Sequence, residues 1–151
     1  MREKIIITGS SGFLGTALVK YLLKTKKYDV VGIDRKEQTV KDKHYIHIKE
    51  DLTKDIPKID GNIYAVVHLA AIPGVRESHE QFFDYAINNI YVTQKVLKLC
   101  IEQWKPQKFL FASSSSIYNS GLAAALYTHG RLWRVGIARG LVSKFGETPD
   151  F

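Results

Sequence analysis

TGSSGFLG, residues 8–15, joins a run of three isoleucines to a stretch with the apolar spacing of a helix. Its glycines stand at positions 9, 12 and 15. At a strand-to-helix turn the first glycine permits the tight turn, the second lets the backbone approach a diphosphate, and the third allows the helix to pack closely on the strand. The spacing differs from the common G-x-G-x-x-G form. The stretch therefore predicts a diphosphate-binding turn made by Gly9, Gly12 and Gly15.

Strand and helix patterns alternate along the chain beyond this turn. Apolar residues at helical spacing predict a first helix over Phe13–Leu23. A second helix is predicted to begin near Ser78, which forms a capping-box pattern with Gln81, and to run toward Ile101. Runs rich in β-branched or aromatic residues predict five strands: Lys4–Thr8, Asp29–Ile33, Tyr45–Ile48, Ala65–Leu69 and Lys108–Ala112.

Apolar strands that alternate with helices are typical of a parallel sheet with right-handed crossovers. We therefore expect an α/β fold, a Rossmann-like doubly wound parallel sheet. The pattern weakens after Tyr118, where Gly121 to Phe151 shows little periodicity. The prediction is a cofactor-binding unit over residues 1–118 and an atypical tail over residues 119–151.

An acidic residue ends the second predicted strand. Asp34 follows Gly15 by 19 positions (34 minus 15), where a carboxylate can accept hydrogen bonds from the ribose hydroxyls of a dinucleotide. This favours NAD over NADP as the cofactor. Arg35 leaves the alternative open, because a guanidinium at this place could accommodate a 2′-phosphate.

Composition excludes several classes of protein. The formal net charge is +7, but the basic residues are scattered and no groove-reading motif accompanies them, so we expect solvated faces and no nucleic-acid partner. Cys100 is the only cysteine, which excludes an intrachain disulfide. The apolar run near the N-terminus, Ile5 to Ile7, is too short for a signal peptide or a membrane span. We expect a cytoplasmic protein without a membrane partner.

Four motifs in order resemble the extended short-chain dehydrogenase/reductase family: TGSSGFLG, the pair Asp51-Leu52, the run HLAA at 68–71 and ASSSSIY at 112–118. The resemblance covers residues 3 to about 119. HLAAIPGVRES, at 68–78, looks most like the NAD-dependent UDP-sugar 4-epimerases that act on UDP-glucose, UDP-galactose or UDP-glucuronate. The resemblance implies that NAD is the cofactor and that a nucleotide-sugar is the substrate.

The resemblance also implies roles for individual residues. Those matching Phe13 and Leu14 lie over the diphosphate, and Asp51, followed by Leu52, reads the adenine amino group. Three residues after the fourth strand would line the cofactor, and one member of an asparagine pair would contact the cofactor or fix the active-site strand by hydrogen bonds. These are Leu69, Ala70 and Ala71, and Asn88 and Asn89. Without the resemblance, His68 would be interpreted as a satisfied core histidine.

The catalytic motif of the family is matched only in part. Ser114 stands where the family has its catalytic serine or threonine, whose hydroxyl binds the reacting sugar oxygen. No YxxxK motif follows it; Tyr127 to Arg131 gives YxxxR instead, only nine positions after Tyr118. Arginine keeps a positive charge but is planar and always protonated, unlike lysine. We therefore expect a chain without catalysis of its own. Nothing after Asn119 resembles the substrate domain of the family, so we also expect a sheet that ends before that domain.

Three functions remain open on the sequence. The first is the NAD-binding portion of a nucleotide-sugar epimerase or dehydratase, in which hydride moves between sugar C4 and NAD. The second is a non-catalytic module that binds NAD or dimerises. The third is an NADP-dependent sugar reductase, which requires Arg35 to outweigh Asp34. A parallel sheet that ends after five strands exposes an edge, so we also expect a homo-oligomer or aggregation.

Overall fold

Five parallel strands form a single sheet in the order β3-β2-β1-β4-β5. The structure is a computed structural model that describes residues 2–54, 56, 58–73 and 81–112. The strands are β1 Glu3–Thr8, β2 Tyr28–Asp34, β3 Tyr45–Lys49, β4 Ile63–His68 and β5 Lys108–Phe111. All four pairings are parallel. The predicted α/β parallel sheet is confirmed.

The helices differ more from the predictions than the strands do. The first, α1, spans Phe13–Lys24, one residue longer than predicted. In the described residues, the second helical region begins with α2, Phe82–Tyr85; its predicted start, near Ser78, lies outside them. It continues through a π-helical turn, Ala86–Tyr91, into α3, Val92–Leu99, and a second π-helical turn, Cys100–Trp104. A search for 3.6-residue periodicity does not anticipate π-helical turns.

The consecutive isoleucines of β1 serve both faces of the sheet, because successive side chains in a strand point to opposite sides. Ile5 and Ile7 pack with Val19 and Leu22 of α1. Ile6 packs on the other face, in a cluster made with residues of β2, β4 and the second helical region. The buried members of that cluster include Val31, Ile33, Val66, Val92, Val96, Cys100 and Trp104. Helices therefore cover both faces, as in a doubly wound fold.

The strands that follow β1 are added first on one side of it and then on the other. From β1 the sheet extends through β2 to β3 on one side and through β4 to β5 on the other. The carboxyl ends of β1 and β4 therefore mark the switch point of the strand order, where open parallel sheets have a crevice. Ligands of open parallel sheets bind in such a crevice. In the part of the chain that the structure describes, no helix is both long and apolar enough to cross a membrane.

The start of α1 lies very close to the end of β1. A Cβ atom at Gly15 would lie 2.1 Å from the carbonyl oxygen of Gly9 and 2.7 Å from Cα of Ser10, both backbone atoms. At Gly12 the nearest atom, the same Gly9 oxygen, would be 3.2 Å away. Gly15 is thus required for packing, as predicted for the third glycine, whereas a methyl group at Gly12 needs only a shift of a few tenths of an ångström.

We predict that Gly15→Ala lowers the free energy of unfolding by about 3 kcal/mol, since the methyl group must displace backbone. Gly12→Ala is the matched control: its φ of −72° suits any residue, so stability should change by less than about 1 kcal/mol. Urea unfolding followed by circular dichroism measures both. Equal midpoints for Gly15→Ala and the unmodified chain would contradict the close approach.

Candidate functional site

The glycine loop presents backbone N–H groups at the end of β1. Gly9 has φ of +73°, and its N–H donates to the carbonyl of Ile33 at 2.9 Å. The N–H of Gly12 donates to the carbonyl of Gly9 at 3.1 Å, which closes the turn. α1 then begins at Phe13, with no side-chain cap and no acidic residue in its first turn. The N–H groups of a first turn lack partners within their helix and carry the positive end of its dipole, which attracts anions.

Two large apolar side chains flank these N–H groups in solvent. Phe13 is 92% exposed and Leu14 is 62% exposed, although both follow the glycine turn directly. Apolar residues at the first turn of a helix ordinarily turn toward the core. Both side chains are therefore free to contact a ligand; that they lie over a diphosphate, as the resemblance implies, stays a prediction.

Asp34 ends β2 beside the glycine loop, and two backbone donors fix its carboxylate. Oδ2 accepts the N–H of Ser11 at 3.0 Å, and Oδ1 accepts the N–H of Lys36 at 2.9 Å. Each carboxylate oxygen has acceptor capacity for a further hydrogen bond. The carboxylate is therefore held in place and can still bind hydroxyl groups. Arg35, the next residue, is exposed.

Residues after β2 fold over the glycine loop, which sequence reasoning did not predict. The Ser11 hydroxyl donates to the carbonyl of Glu37 at 2.8 Å, and the hydroxyls of Thr16 and Thr39 are 2.9 Å apart. Glu37 forms an ion pair with Lys49 of β3, and the hydrogen bond from Lys49 lowers the pKa of that carboxyl. These contacts join residues more than ten positions apart, and no local motif signals them.

Asp51 and Leu52 follow β3 and have different surroundings. Oδ1 of Asp51 accepts both the N–H and the hydroxyl of Thr53, each at 2.9 Å. The hydrogen bond from the Thr53 N–H holds the pKa of Asp51 below its usual value. Leu52 is 8% exposed and packs in the core with Ile6. The structure thus places the Leu52 side chain in the core, while the carboxylate of Asp51 is half-buried.

The residues after β4 form the second wall of the crevice. The N–H of Leu69 donates to the carbonyl of Thr8 at 3.1 Å, and the N–H of Ala70 donates to the Thr8 hydroxyl at 3.3 Å. A Cβ atom at Gly9 would lie 2.8 Å from the Ala70 nitrogen. This wall therefore touches the glycine loop, and only a glycine permits the contact. Ala71, one residue on, is exposed.

Of the two asparagines, Asn89 makes the cross-segment hydrogen bonds. Its Oδ1 accepts the N–H of Ile72 at 2.8 Å, and its Nδ2 donates to the carbonyl of Ile72 at 3.0 Å. Nδ2 of Asn88 donates to the carbonyl of Asp84, within its own helical region. The Tyr85 hydroxyl donates to the carbonyl of Pro73 at 2.8 Å. Asn89 and Tyr85 together fasten the segment after β4 to the second helical region.

His68, at the end of β4, is a buried histidine with both ring nitrogens engaged. Nδ1 lies 2.6 Å from the Thr8 hydroxyl, and Nε2 lies 3.0 Å from the Thr93 hydroxyl. All three side chains are fully buried. This matches the core histidine expected from sequence alone. Thr8 begins the TGSSGFLG motif, but the sequence did not connect Thr8 or Thr93 with His68, because nothing local shows that they share a partner.

The structure brings most of the predicted cofactor residues around one crevice. The glycine loop lies between Asp34 on one side and Leu69 and Ala70 on the other. Ser114, Tyr127 and Arg131 lie outside the described residues. Within the described ranges, no group of three or more metal-ligating side chains could hold a metal ion.

Two solved structures resemble this chain in both fold and sequence. UDP-glucuronic acid 4-epimerase from Bacillus cereus, in complex with UDP-glucuronic acid and NAD, superimposes with a TM-score of 0.74 at 31% identity, over 94% of this chain and 53% of that one. MoeE5, in complex with UDP-glucose and NAD, gives a TM-score of 0.76 at 28% identity, over 93% of this chain and 49% of that one.

Curated sequences match over the same region. A protein of Bacillus subtilis strain 168 named as the uncharacterized UDP-glucose epimerase YtcB is 39% identical over 130 residues, which is 76% of this chain and 41% of the relative. Protein CapI of Staphylococcus aureus is 32% identical over 83% of this chain and 42% of the relative. The chain thus spans less than half the length of these curated relatives.

The profile of the NAD dependent epimerase/dehydratase family matches residues 5–129, most of the chain. The match includes the glycine loop, Asp34, the walls of the crevice and the position of Ser114. On these grounds the chain belongs to the NAD dependent epimerase/dehydratase family.

Proposed function

We propose that this chain binds NAD in the crevice at the carboxyl end of β1, as the cofactor-binding portion of a UDP-sugar 4-epimerase-like protein. One observation carries the proposal: the uncapped first turn of α1 lies beside a carboxylate that Ser11 and Lys36 hold in place. An anion-binding turn next to a fixed acceptor of hydroxyl groups is the combination that a dinucleotide requires.

Each part of the dinucleotide has a complementary group in the crevice. The diphosphate would accept hydrogen bonds from the N–H groups of the first turn of α1, under Phe13 and Leu14. The ribose hydroxyls of the adenosine would donate to Asp34, and the adenine amino group would donate to Asp51. The remainder of the cofactor would lie along Leu69, Ala70 and Ala71.

The charge at Asp34 favours NAD over NADP. A 2′-phosphate would meet the carboxylate where the ribose hydroxyl is proposed to bind, and like charges at that distance repel. Arg35 is exposed and adjacent, so its guanidinium can compensate only in part. We therefore infer that NADP binds, but more weakly.

NAD supplies a hydride acceptor to the reaction of this family, and the protein must supply the group that takes the proton from the sugar hydroxyl. We propose that Ser114 hydrogen-bonds that hydroxyl oxygen. No YxxxK motif follows Ser114 among these 151 residues, and a tyrosine needs a nearby cation to act as a base near neutral pH. We propose that these residues bind the cofactor without turning over UDP-sugars.

We predict that NADH binds at least about tenfold more tightly than NADPH, because the latter must meet the Asp34 carboxylate. Asp34→Asn should weaken NADH binding about tenfold, since it removes the charge and places an amide donor near the N–H donors that now hold the carboxylate. Isothermal titration calorimetry of the purified chain measures both.

Asp60→Asn is the control, because Asp60 is an exposed acid whose side chain pairs only with Lys58 among the described residues. Its affinity for NADH should equal that of the unmodified chain. Preference for NADPH would contradict the role of Asp34, and absence of binding by either nucleotide would overturn the proposed function.

We predict no detectable conversion of UDP-glucose to UDP-galactose by the purified chain with NAD present. The reason is that no YxxxK motif, which would supply a tyrosine base and its lysine, follows Ser114. A coupled assay for the product sugar nucleotide measures it. Turnover that disappears in Tyr127→Phe would show instead that Tyr127 and Arg131 replace the usual pair.

A second candidate function, a dimerising module, is favoured by apolar side chains on the second helical region. Phe83 is 79% exposed, and Ile87 and Tyr91 follow it at four-residue intervals, each about half exposed. Side chains four residues apart in a helix lie on one face. A contiguous apolar face of this kind is typical of a surface that another protein covers, and we propose a second copy of this chain.

We predict that sedimentation equilibrium of the unmodified chain gives a dimer, and that Phe83→Glu combined with Tyr91→Glu gives a monomer, because charges cannot be buried unpaired in the contact. Gln94→Glu adds a charge at a neighbouring exposed position and should leave the dimer intact. A monomeric unmodified chain at every concentration would exclude this candidate.

A further inference from the structure

Three fully buried side chains form a continuous polar chain beneath the glycine loop. Thr8 ends β1, His68 ends β4, and Thr93 lies in the first turn of α3. The ring of His68 lies between the two hydroxyls, 2.6 Å from that of Thr8 and 3.0 Å from that of Thr93. The rings of Phe109 and Phe111 lie against it, with centroids 6.4 Å and 5.9 Å away. This row of hydrogen bonds connects the crevice to α3, on one face of the sheet.

The direction of each hydrogen bond follows from the donors available. The Thr93 hydroxyl donates its one proton to the carbonyl of Asn89 at 2.8 Å, so toward the ring it can only accept, and His68 carries its proton on Nε2. If the imidazole is neutral, Nδ1 is its acceptor, and the Thr8 hydroxyl donates to it. The oxygen of Thr8 in turn accepts the N–H of Ala70. Every bond from Ala70 to Asn89 therefore runs in one direction.

Both ends of this row of hydrogen bonds hold the segment that follows β4. At one end, Thr8 immediately precedes Gly9, and its carbonyl and hydroxyl receive the N–H groups of Leu69 and Ala70. At the other end, Asn89 donates to and accepts from Ile72, beyond the same wall. With the ring proton on Nδ1 instead, the Thr8 hydroxyl would have to accept from the ring, and its own proton would need another acceptor.

We propose that His68 is a positioning residue for the dinucleotide crevice: its fixed tautomer holds Thr8, and with it the contact between the glycine loop and the second wall. The proposal rests on the proposed binding of NAD. It predicts that Thr93, which the ring separates from Thr8, controls cofactor affinity. A purely structural role predicts an effect on stability alone.

Thr93→Val tests this directly. Valine has the shape of threonine but no acceptor for the proton on Nε2, so we expect the ring to shift its proton to Nδ1, which Thr8 must then accept. NADH affinity should fall about tenfold. Thr93→Ser retains the hydroxyl and should restore both the tautomer and the affinity. Calorimetry gives the affinity, and imidazole ¹⁵N spectra, assigned with His68→Asn, give the tautomer.

Thr25→Val is the matched control, because the Thr25 hydroxyl also donates to a helix carbonyl, that of Leu22, but lies at the far end of α1. It should lower the unfolding midpoint without changing NADH affinity. If the unmodified chain binds NADH and Thr93→Val binds it equally well, the positioning role is overturned. If the unmodified chain binds no NADH, the proposed function fails and the positioning role fails with it. Should Thr93→Val not fold, Thr93→Cys, whose thiol is only a weak acceptor, provides the same comparison without altering Thr8.

Discussion

The first turn of α1 lies so close to the Gly9 carbonyl that only a hydrogen atom fits on Cα of residue 15. This contact sets the angle at which the helix leaves β1. It also brings the N–H of Ser11 to Asp34 and the Ser11 hydroxyl to Glu37. A loop held further from the strand would lose both contacts, so the geometry of the crevice depends on the absence of one methyl group.

Donors and acceptors are separated in the crevice in a way that suits a dinucleotide. Its centre offers backbone N–H groups at the positive end of a helix, and one side offers the carboxylate of Asp34. The opposite wall, Leu69 and Ala70, uses its own N–H groups to bind Thr8 and presents little polarity of its own. This distribution agrees with membership of the NAD dependent epimerase/dehydratase family.

Sequence patterns predicted the strands and helices whose positions depend on interactions between neighbouring residues. The runs of apolar residues placed β1 within one residue of its observed start, and the glycine spacing placed α1. They placed β4 two residues late, because Ile63 pairs with Lys4 across an irregular register. The π-helical turns escaped prediction, since they depend on how the helix packs. The sequence indicated roles for Asp34 and Asn89. It did not show that Thr8, which begins TGSSGFLG, and Thr93 share His68, because these contacts span 60 and 25 positions.

The order of the strands has a consequence for how the molecule acquires its shape. Contacts that join the glycine loop to β2 and the residues after it connect positions at most 26 apart. The partner of Thr8 on β4 is 60 positions away. Contacts between nearby positions cost less loop-closure entropy and form earlier, and an emerging polypeptide folds from its N-terminus. We therefore expect the glycine turn and Asp34 to take shape during synthesis before the wall beside them.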